Sequence, residues 1–360
     1  RALAAGDWQG VRASLERTRP LRGGVDLRGW EWRYLWGVSR SDSNRSFGRS
    51  GLGISSLALL PDGSTVAVGE REGGFSLWDS RSGERIFELT EPINRIQAAK
   101  FPLNRVVTLL ATVPGTSWLA YTDCRSETES YVRLWDVTTR SVHRSLAIPG
   151  VPRNLAVSPD GRLLACSTLQ DDRRVYVFET AMGTLLQSIA ADFADFAVGS
   201  PLAFSADSKL LAFEGENGAH AATGLTRVVK ARSGDKVFQF PQGQFQVVSL
   251  AFSPDGRWLA SGGGNDQPLV RIWDLNSGKL AHTLTVNGPS ALAFDPQGHR
   301  LFTGFDIWEV PTFAKLRTLT SDGSGISTLF LSGDGQTLLT AGSGFVTEWD
   351  LNARPRQRHG

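Results

Sequence analysis

The stretch from Val248 to Leu280 has the pattern of three short strands joined by two tight turns. The first apolar run ends at Pro254-Asp255-Gly256, where proline presets φ, aspartate bonds its own backbone and glycine takes a positive φ. A glycine-rich turn, Gly262 to Asp266, leads to a run ending at Trp273-Asp274. A fourth strand is expected from Lys279 to Leu284. Apolar residues lie on both faces of these strands, so the sheet must be covered on both sides. One copy cannot do this alone.

Copies of this unit recur along most of the chain. Aligned on Trp-Asp of the third strand, the equivalent positions are Trp78, Trp135, Phe178, Val229, Trp273, Trp308 and Trp349. The first hairpin recurs in step as Pro61-Asp62-Gly63, Pro159-Asp160-Gly161, Ala206-Asp207-Ser208, Pro296-Gln297-Gly298 and Gly333-Asp334-Gly335. The spacing of about 45 residues is typical of WD repeats. Over about residues 43 to 352, the chain therefore resembles the WD-repeat family of β-propellers.

The predicted fold is all-β: a seven-bladed WD-repeat β-propeller over residues 41–352. Residues 1–40 would form a short N-terminal helical appendage, and residues 353–360 a basic tail. A content of 41% hydrophobic and 21% charged residues is typical of a globular protein. A net charge of +2 favours neither nucleic acid nor a membrane surface as a partner. Two cysteines do not make a disulfide framework.

The first 40 residues do not have the repeat pattern. Asp7 and Asp26 are candidate N-caps of two helices, and four of the eleven tryptophans lie before residue 37. The pair either docks on the propeller or ends a longer helical array. The run Asp26 to Trp36 resembles the junction that precedes WD repeats in large bacterial serine/threonine kinases. The chain itself has neither a glycine-rich nucleotide loop nor a His-Arg-Asp catalytic loop.

The last repeat stops at Trp349-Asp350 and lacks a fourth strand. An unpaired third strand would expose its ladder donors and acceptors. The polar segment Ser43 to Arg49 is the candidate to supply the missing strand, which would close the ring with the N-terminal part of the chain. We expect the five tryptophans at the repeat position to be structural: Trp78, Trp135, Trp273, Trp308 and Trp349.

Two segments depart from the repeat. Glu91 to Arg105 precedes blade 2 if Pro114-Gly115-Thr116 is the first hairpin of that blade. An alternative alignment uses Ile96 to Phe101 as the first strand and moves the insertion to the opposite face. Glu214 to Leu225 is a long polar second turn in blade 4. In the first alignment both segments lie on one face of the propeller, around the mouth of its channel.

The first insertion combines apolar anchors with positive charge, a composition that suits an interface. We therefore predict a partner site for an acidic or mixed peptide there. The alternative is a loop whose apolar residues pack on its own blade. The predicted partner-binding residues are Ile93, Arg95, Lys100, Phe101 and Arg105.

Residues that would support chemistry are scattered. The five histidines fall in different repeats or the tail, and none has a second metal ligand at helical spacing. Glu214, Glu216 and His220 could form an acid-base or metal cluster, but a solvated loop is the simpler interpretation. The histidine that often precedes the first strand in the WD-repeat family is absent here, which puts its His-Trp network in doubt. We expect no catalysis, cofactor or metal.

The resemblance implies a non-catalytic protein-protein interaction scaffold that presents loops to a protein or peptide partner. The alternative is a sensory or substrate-recruiting domain of a bacterial serine/threonine kinase. A propeller hydrolase would need converging polar side chains at the channel, and no paired carboxylates or nucleophile-base pair is present. We expect a monomeric propeller that contacts neither nucleic acid nor membrane. We expect a cytoplasmic location, or an extracytoplasmic one if a membrane span lies upstream of Arg1.

Overall fold

A computed structural model describes most of the chain from residue 43 onwards. The described residues are 43–48, 53–70, 73–89, 108–125, 129–169, 173–191, 201–216, 224–243, 246–263, 268–286, 291–319, 326–342 and 344–351. Within them, the chain folds into 28 strands arranged as seven four-stranded sheets. The predicted helical pair over residues 1–40 and the tail over 353–360 lie outside this part, so those domain boundaries stay predictions.

Each sheet is one blade. In six blades the four strands follow in sequence order from the inside outwards, and in blade 7 the outermost strand comes from the start of the chain. Blade 1 comprises β2 (Ile54–Leu59), β3 (Thr65–Glu70), β4 (Phe75–Asp79) and β5 (Arg85–Leu89). Blade 2 comprises β6 (Leu110–Thr112), β7 (Trp118–Cys124), β8 (Ser130–Asp136) and β9 (Ser141–Ile148). Blade 3 comprises β10 (Val151–Val157), β11 (Leu163–Leu169), β12 (Arg174–Glu179) and β13 (Leu185–Ala190). Blade 4 comprises β14 (Leu202–Phe204), β15 (Leu210–Glu216), β16 (Gly224–Lys230) and β17 (Lys236–Gly243).

The remaining blades follow the same plan. Blade 5 comprises β18 (Val247–Phe252), β19 (Trp258–Gly263), β20 (Leu269–Asp274) and β21 (Lys279–Thr285). Blade 6 comprises β22 (Leu292–Phe294), β23 (Arg300–Thr303), β24 (Asp306–Glu309) and β25 (Lys315–Thr318). Blade 7 comprises β26 (Thr328–Leu331), β27 (Thr337–Ala341), β28 (Val346–Asp350) and, from the start of the chain, β1 (Ser43–Phe47).

The seven blades stand in a closed ring. The first strands of neighbouring blades are in contact all the way round, from β2 through β6, β10, β14, β18, β22 and β26 back to β2. The ring closes through β1, which pairs antiparallel with β28 as the sequence predicts. Phe47 of β1 is buried with Val346 and Leu339. The chain is therefore a seven-bladed all-β propeller in the part that the structure describes.

The core lies between the blades and not in a single centre. Seven clusters of buried apolar side chains occupy the seven interfaces between neighbouring sheets. This follows from the sequence, because strands with apolar residues on both faces must be covered on both sides. At the interface of blades 1 and 2, for example, Phe75, Phe87 and Trp135 pack with ring centroids 5.1 to 6.3 Å apart.

Every outer strand carries a β-bulge at the same place. The register slips by one residue opposite the Trp-Asp position in all seven pairs of third and outer strands. A bulge leaves one residue unpaired and increases the local twist. Twisting the outer edge in this way hinders pairing with another strand.

Candidate functional site: the two faces of the propeller

Because neighbouring strands are antiparallel, the connections divide into two sets at opposite ends of the blades. The uniform face carries the first-to-second and third-to-outer turns. The variable face carries the second-to-third connections and those from an outer strand to the next blade. On the uniform face all seven first-to-second turns have five residues, and the third-to-outer turns have four or five. On the variable face the connections range from two residues, as at 149–150, to twenty, 90–109.

The turns of the uniform face are held by short-range polar contacts. In blade 5, the Ser253 hydroxyl donates to Asp255 and accepts the Trp258 N–H at 2.8 Å, while Asp255 accepts the Arg257 N–H at 3.0 Å. Blades 3, 4 and 7 repeat this pattern with Ser158 and Asp160, Ser205 and Asp207, and Ser332 and Asp334. The length of these turns is therefore determined by local chemistry.

The aspartate of Trp-Asp has a related role in the third-to-outer turns. Asp79, Asp136 and Asp274 each accept two backbone N–H groups of the residues that follow. This is the Asx-turn geometry, in which a side chain replaces a backbone acceptor. The repeated aspartate therefore belongs to the turn, and its function here is structural.

The same contacts lower the pKa of the turn carboxyl groups. The Ser205 hydroxyl lowers the pKa of Asp207 below its ordinary value, and the Ser332 hydroxyl does so for Asp334, because hydrogen bonds to the charged form favour it. These carboxylates stay ionised and bonded at neutral pH. They offer no proton for acid-base chemistry in that range.

Most connections of the variable face are described only at their stems, where polar side chains of one blade bind the start of the next blade. The hydroxyls of Ser55 and Ser56 donate to the Thr108 carbonyl oxygen at 2.6 and 2.8 Å, which ties blade 1 to the end of the long connection. The Ser249 hydroxyl accepts the Leu292 N–H at 3.0 Å, between blades 5 and 6. The connections of this face are thus anchored to a rigid ring close to where they rejoin it.

Glu214 is a third such anchor, and its position corrects one prediction. The segment Glu214 to Leu225 was expected to be a long polar turn, but β15 continues to Glu216 and β16 begins at Gly224. Glu214 is buried, and its Oε1 accepts the Val247 N–H at 3.0 Å. A buried carboxylate needs such partners to offset its lost hydration. The predicted solvated loop shrinks to residues 217–223, and His220 lies outside the described residues.

The five repeat tryptophans lie between neighbouring blades. All five contribute to the interfaces between blades. The indole N–H of Trp273, Trp308 and Trp349 donates to a hydroxyl of the second strand, namely Ser261, Thr303 and Thr340, at 2.8 to 3.0 Å. Trp78 donates instead to Ser76 at 2.8 Å.

In blade 5 a glutamine extends the tryptophan network across the blade boundary. The buried Gln242 amide donates to Ser261 and to Thr226 at 3.0 and 2.8 Å. Arg271 donates to the side-chain and backbone oxygens of Gln242 at 2.9 and 2.6 Å. A Trp-centred network therefore exists without histidine. Gln242 could not be singled out from the sequence, because it lies after Pro241 in a segment without a recognisable motif.

Three arginines of this kind could have been found by aligning the repeats. Arg133, Arg227 and Arg271 occupy the same position, two residues before the Trp-Asp position. Two of them donate to a carbonyl at the end of the preceding blade's outer strand: Arg227 to Ala190 at 3.0 Å and Arg271 to Gln242 at 2.6 Å. Arg133 instead forms an ion pair with Asp123 at 2.7 Å.

The five predicted partner-binding residues, Ile93, Arg95, Lys100, Phe101 and Arg105, lie outside the described residues. The flanking strands nevertheless show which of the two proposed alignments of blade 2 is correct. The Thr116 N–H donates to Val113 O, and the Val113 N–H to Trp118 O, so the first hairpin of blade 2 is the one around Pro114-Gly115-Thr116. The alternative alignment, with Ile96 to Phe101 as the first strand, is wrong, because β6 spans Leu110–Thr112. The insertion between blades 1 and 2 therefore belongs to the variable face.

The described residues contain no group of three or more His, Cys, Asp or Glu side chains able to hold a metal ion. Two of the histidines contact aromatic rings: His143 stacks on Trp118 with ring centroids 4.3 Å apart, and His282 lies tilted against Phe313 with ring centroids 4.9 Å apart. Cys166 is fully buried, which raises the pKa of its thiol well above the ordinary value. In this part of the chain, no helix has the length and apolar character needed to cross a bilayer.

The fold and its turns define the class of protein, a β-propeller built from Trp-Asp repeats. Comparison with known proteins agrees. Residues 224–297 match the Anaphase-promoting complex subunit 4 WD40 domain. An uncharacterized WD repeat-containing protein of Synechocystis is 32% identical over 157 residues, 43% of this chain and 41% of the relative. Together these matches support a WD40 β-propeller family for the chain.

Longer but more distant matches cover most of the propeller. Periodic tryptophan protein 2 of Arabidopsis thaliana is 23% identical over 89% of this chain. The Anaphase-promoting complex subunit cdh1 of Dictyostelium discoideum is 24% identical over 88% of this chain. The chain spans only 31% and 39% of the length of these two relatives.

A solved structure confirms the fold. Hydrazine synthase of Kuenenia stuttgartiensis superposes with a TM-score of 0.68 at 18% identity, covering 84% of this chain and 97% of that chain. At this identity the likeness concerns the fold alone. Propellers of this family are typically non-catalytic scaffolds, and the fold is consistent with a protein-interaction scaffold.

Proposed function

We propose that this propeller is a non-catalytic scaffold that binds a protein or peptide partner through the connections of its variable face. The observation that carries the proposal is the contrast in connection length. One face keeps every turn at four or five residues, while the other varies from two to twenty. Rigid scaffolds commonly carry binding residues on the loops that vary.

The longest connection, residues 90–109, is the best candidate for the contact surface. It contains Ile93, Arg95, Lys100, Phe101 and Arg105, which combine apolar anchors with positive charge. Interfaces favour this combination, and arginine and aromatic residues dominate their energetics. We infer that Arg95 and Phe101 engage an acidic or mixed peptide. The hydrogen bonds from Ser55 and Ser56 to Thr108 anchor the end of this connection.

The relatives support a protein partner in general terms. The family model that matches residues 224–297 is named for a subunit of the anaphase-promoting complex. One of the relatives is also named as a subunit of that complex. By name, both come from a multiprotein assembly. They indicate the kind of interaction that such propellers enter. They do not identify a partner for this chain.

Selection from a displayed peptide library tests the proposal while the partner is still unidentified. Peptides enriched on the wild-type chain are measured against a variant with residues 91–105 replaced by a four-residue turn, and against Arg95→Glu/Phe101→Ala. We expect both variants to remain folded and to lose at least about tenfold in affinity, which corresponds to about 1.4 kcal/mol.

The matched control changes the uniform face. Asn276→Ala/Ser277→Ala alters two exposed residues of the third-to-outer turn of blade 5 and should bind the same peptides as wild type. Equal binding by the shortened variant would place the site elsewhere, most directly at residues 217–223. Loss of binding only in the blade 5 control would contradict the assignment of the face.

The kinase-associated role is an alternative of the same general kind. It depends on the resemblance of Asp26 to Trp36 to the junction before kinase WD repeats, and these residues lie outside the described part of the chain. Under this proposal the variable face would sense a ligand or recruit a substrate for a catalytic domain encoded upstream. A coding sequence upstream of Arg1 without a His-Arg-Asp loop would rule the alternative out.

A further inference from the structure

Among the residues that the structure describes, no further strand pairs with the outer strand of any blade, and blade 3 differs from the others in how this edge is protected. Edge strands usually carry charged residues or proline, which hinder pairing with a strand of another molecule. Six outer strands contain at least one such residue: β1 with Arg45, β5 with Arg85, β9 with Arg144, β17 with Lys236 and Pro241, β21 with Lys279, and β25 with Lys315. Among the described blades, only β13 (sequence LLQSIA) has none.

The start of β13 also exposes apolar side chains. Met182, in the turn before the strand, is 67% exposed, and Leu185 is 48% exposed. The strand has no charge and no proline, two features of the short segments that pair with copies of themselves. By composition alone, β13 is the outer strand most prone to accept another strand.

The register shows which backbone groups of β13 face outwards. The Ala191 N–H donates to the Arg173 carbonyl at 3.0 Å, which makes these two residues a hydrogen-bonded pair. Antiparallel ladders alternate between hydrogen-bonded and non-hydrogen-bonded pairs. With Arg174 opposite Ala190 and Tyr176 opposite Ser188, the backbone groups of Ser188 and Ala190 point away from β12, along the open edge.

Both of these outward carbonyl groups are already bound by arginine. Arg174 Nη2 donates to the Ser188 carbonyl at 2.7 Å, and its Nε donates to the Ser188 hydroxyl at 2.6 Å. Arg227 Nη1, from blade 4, donates to the Ala190 carbonyl at 3.0 Å. An incoming strand needs these acceptors for its own N–H groups, so the two guanidinium groups compete with it directly.

We propose that Arg174 and Arg227 close the edge of blade 3 against antiparallel pairing with the same strand of a second copy of this chain. A second copy is the occupant that the composition favours. Self-pairing of the other outer strands would bring their cationic side chains together, whereas β13 brings none. On the other blades, charged side chains of the outer strand itself hinder pairing. On blade 3, the two arginines do so by binding the backbone carbonyl groups of the outer strand.

The test compares self-association of purified variants by sedimentation velocity over a concentration series. Arg174→Ala frees the Ser188 carbonyl, and we expect its dimer association constant to rise at least about tenfold over wild type. Arg174→Met keeps the apolar stem of the side chain and should give the same rise if Arg174→Ala does not fold. Hydrogen exchange at Ser188 and Ala190 should slow as the dimer forms.

Two further variants make the result specific. Arg174→Ala/Leu185→Lys should return to the wild-type association constant, because Arg85, Lys236 and Lys315 occupy the equivalent position of other blades, opposite the Trp-Asp position. Arg271→Ala removes the comparable bond to Gln242 on β17, which retains Lys236 and Pro241, and should not associate. Folded Arg174 variants that stay monomeric would overturn the proposal. So would a dimer that survives Leu185→Lys or protects another strand.

Discussion

The two faces of the propeller are built from the same strands but are determined in different ways. On the uniform face, each turn is closed by residues within five positions of one another, such as Ser253 with Asp255 and Trp258. On the variable face, the described anchors join residues far apart in the chain, such as Glu214 with Val247 and Ser56 with Thr108. The first kind of contact constrains length. The second constrains only where a connection ends, so its length is free to vary.

The largest expected difference between the two faces is in the stability that each loses when the same residues are inserted into one of its connections. Three glycine or serine residues inserted after Asp255 break the turn of blade 5 and the four short-range hydrogen bonds that span the insertion point. At about 1 kcal/mol each, we expect a loss of about 3 to 4 kcal/mol in the free energy of unfolding. The same insertion within residues 264–267, on the variable face, should cost less than about 1 kcal/mol. Urea unfolding measures both, and equal losses would contradict the comparison.

The glycines of the uniform face offer a finer test. Gly161 has φ +70°, and a Cβ there would overlap the Pro114 carbonyl oxygen of blade 2. Gly161→Ala should therefore lose about 2 to 3 kcal/mol from strain and overlap together. Gly63 has φ +68° with nothing within 4 Å of such a Cβ, so Gly63→Ala should lose only about 1 kcal/mol. A similar loss at both positions, in thermal or urea unfolding, would show that the turns do not pack against one another.

Glu214 tests whether the anchors of the variable face stabilise the ring. Glu214→Ala leaves the buried Val247 N–H without its acceptor, at a cost of about 1 to 3 kcal/mol. Glu214→Gln keeps an acceptor oxygen at the same place and should lose about half as much or less. Stability unchanged in Glu214→Ala would mean that the start of blade 5 does not depend on this bond.

The smallest expected effect concerns pH and the uniform face. The lowered pKa values of Asp207 and Asp334 mean that the folded state favours their charged forms. This contribution is fully present above the ordinary aspartate pKa of 3.8 and is lost as the pH falls through the lower folded value. Asp207→Asn/Asp334→Asn should therefore flatten the fall in stability between about pH 5 and about pH 3. A parallel fall in the variant and wild type, in urea unfolding, would contradict this.

The turns of the uniform face could be predicted from the sequence alone. Pro-Asp-Gly turns and the Trp-Asp position recur at fixed offsets, so the number of blades, the strand order and the closing strand could all be predicted. The apolar residues on both faces of the strands also predicted that the core lies between blades. These features depend on residues close together in the chain, whose geometry is limited by few backbone angles.

Contacts between blades were decided only by the tertiary structure. Glu214 was expected in a solvated turn because its partner, Val247, is 33 positions away and gives no local signal. Gln242, which joins Ser261 and Thr226, and Arg227, which reaches Ala190, depend likewise on the packing of one blade against the next. The repeated bulge of the outer strands follows from pairing geometry. A sequence period shows where each blade begins, but which polar groups meet across an interface depends on how the sheets are placed in space.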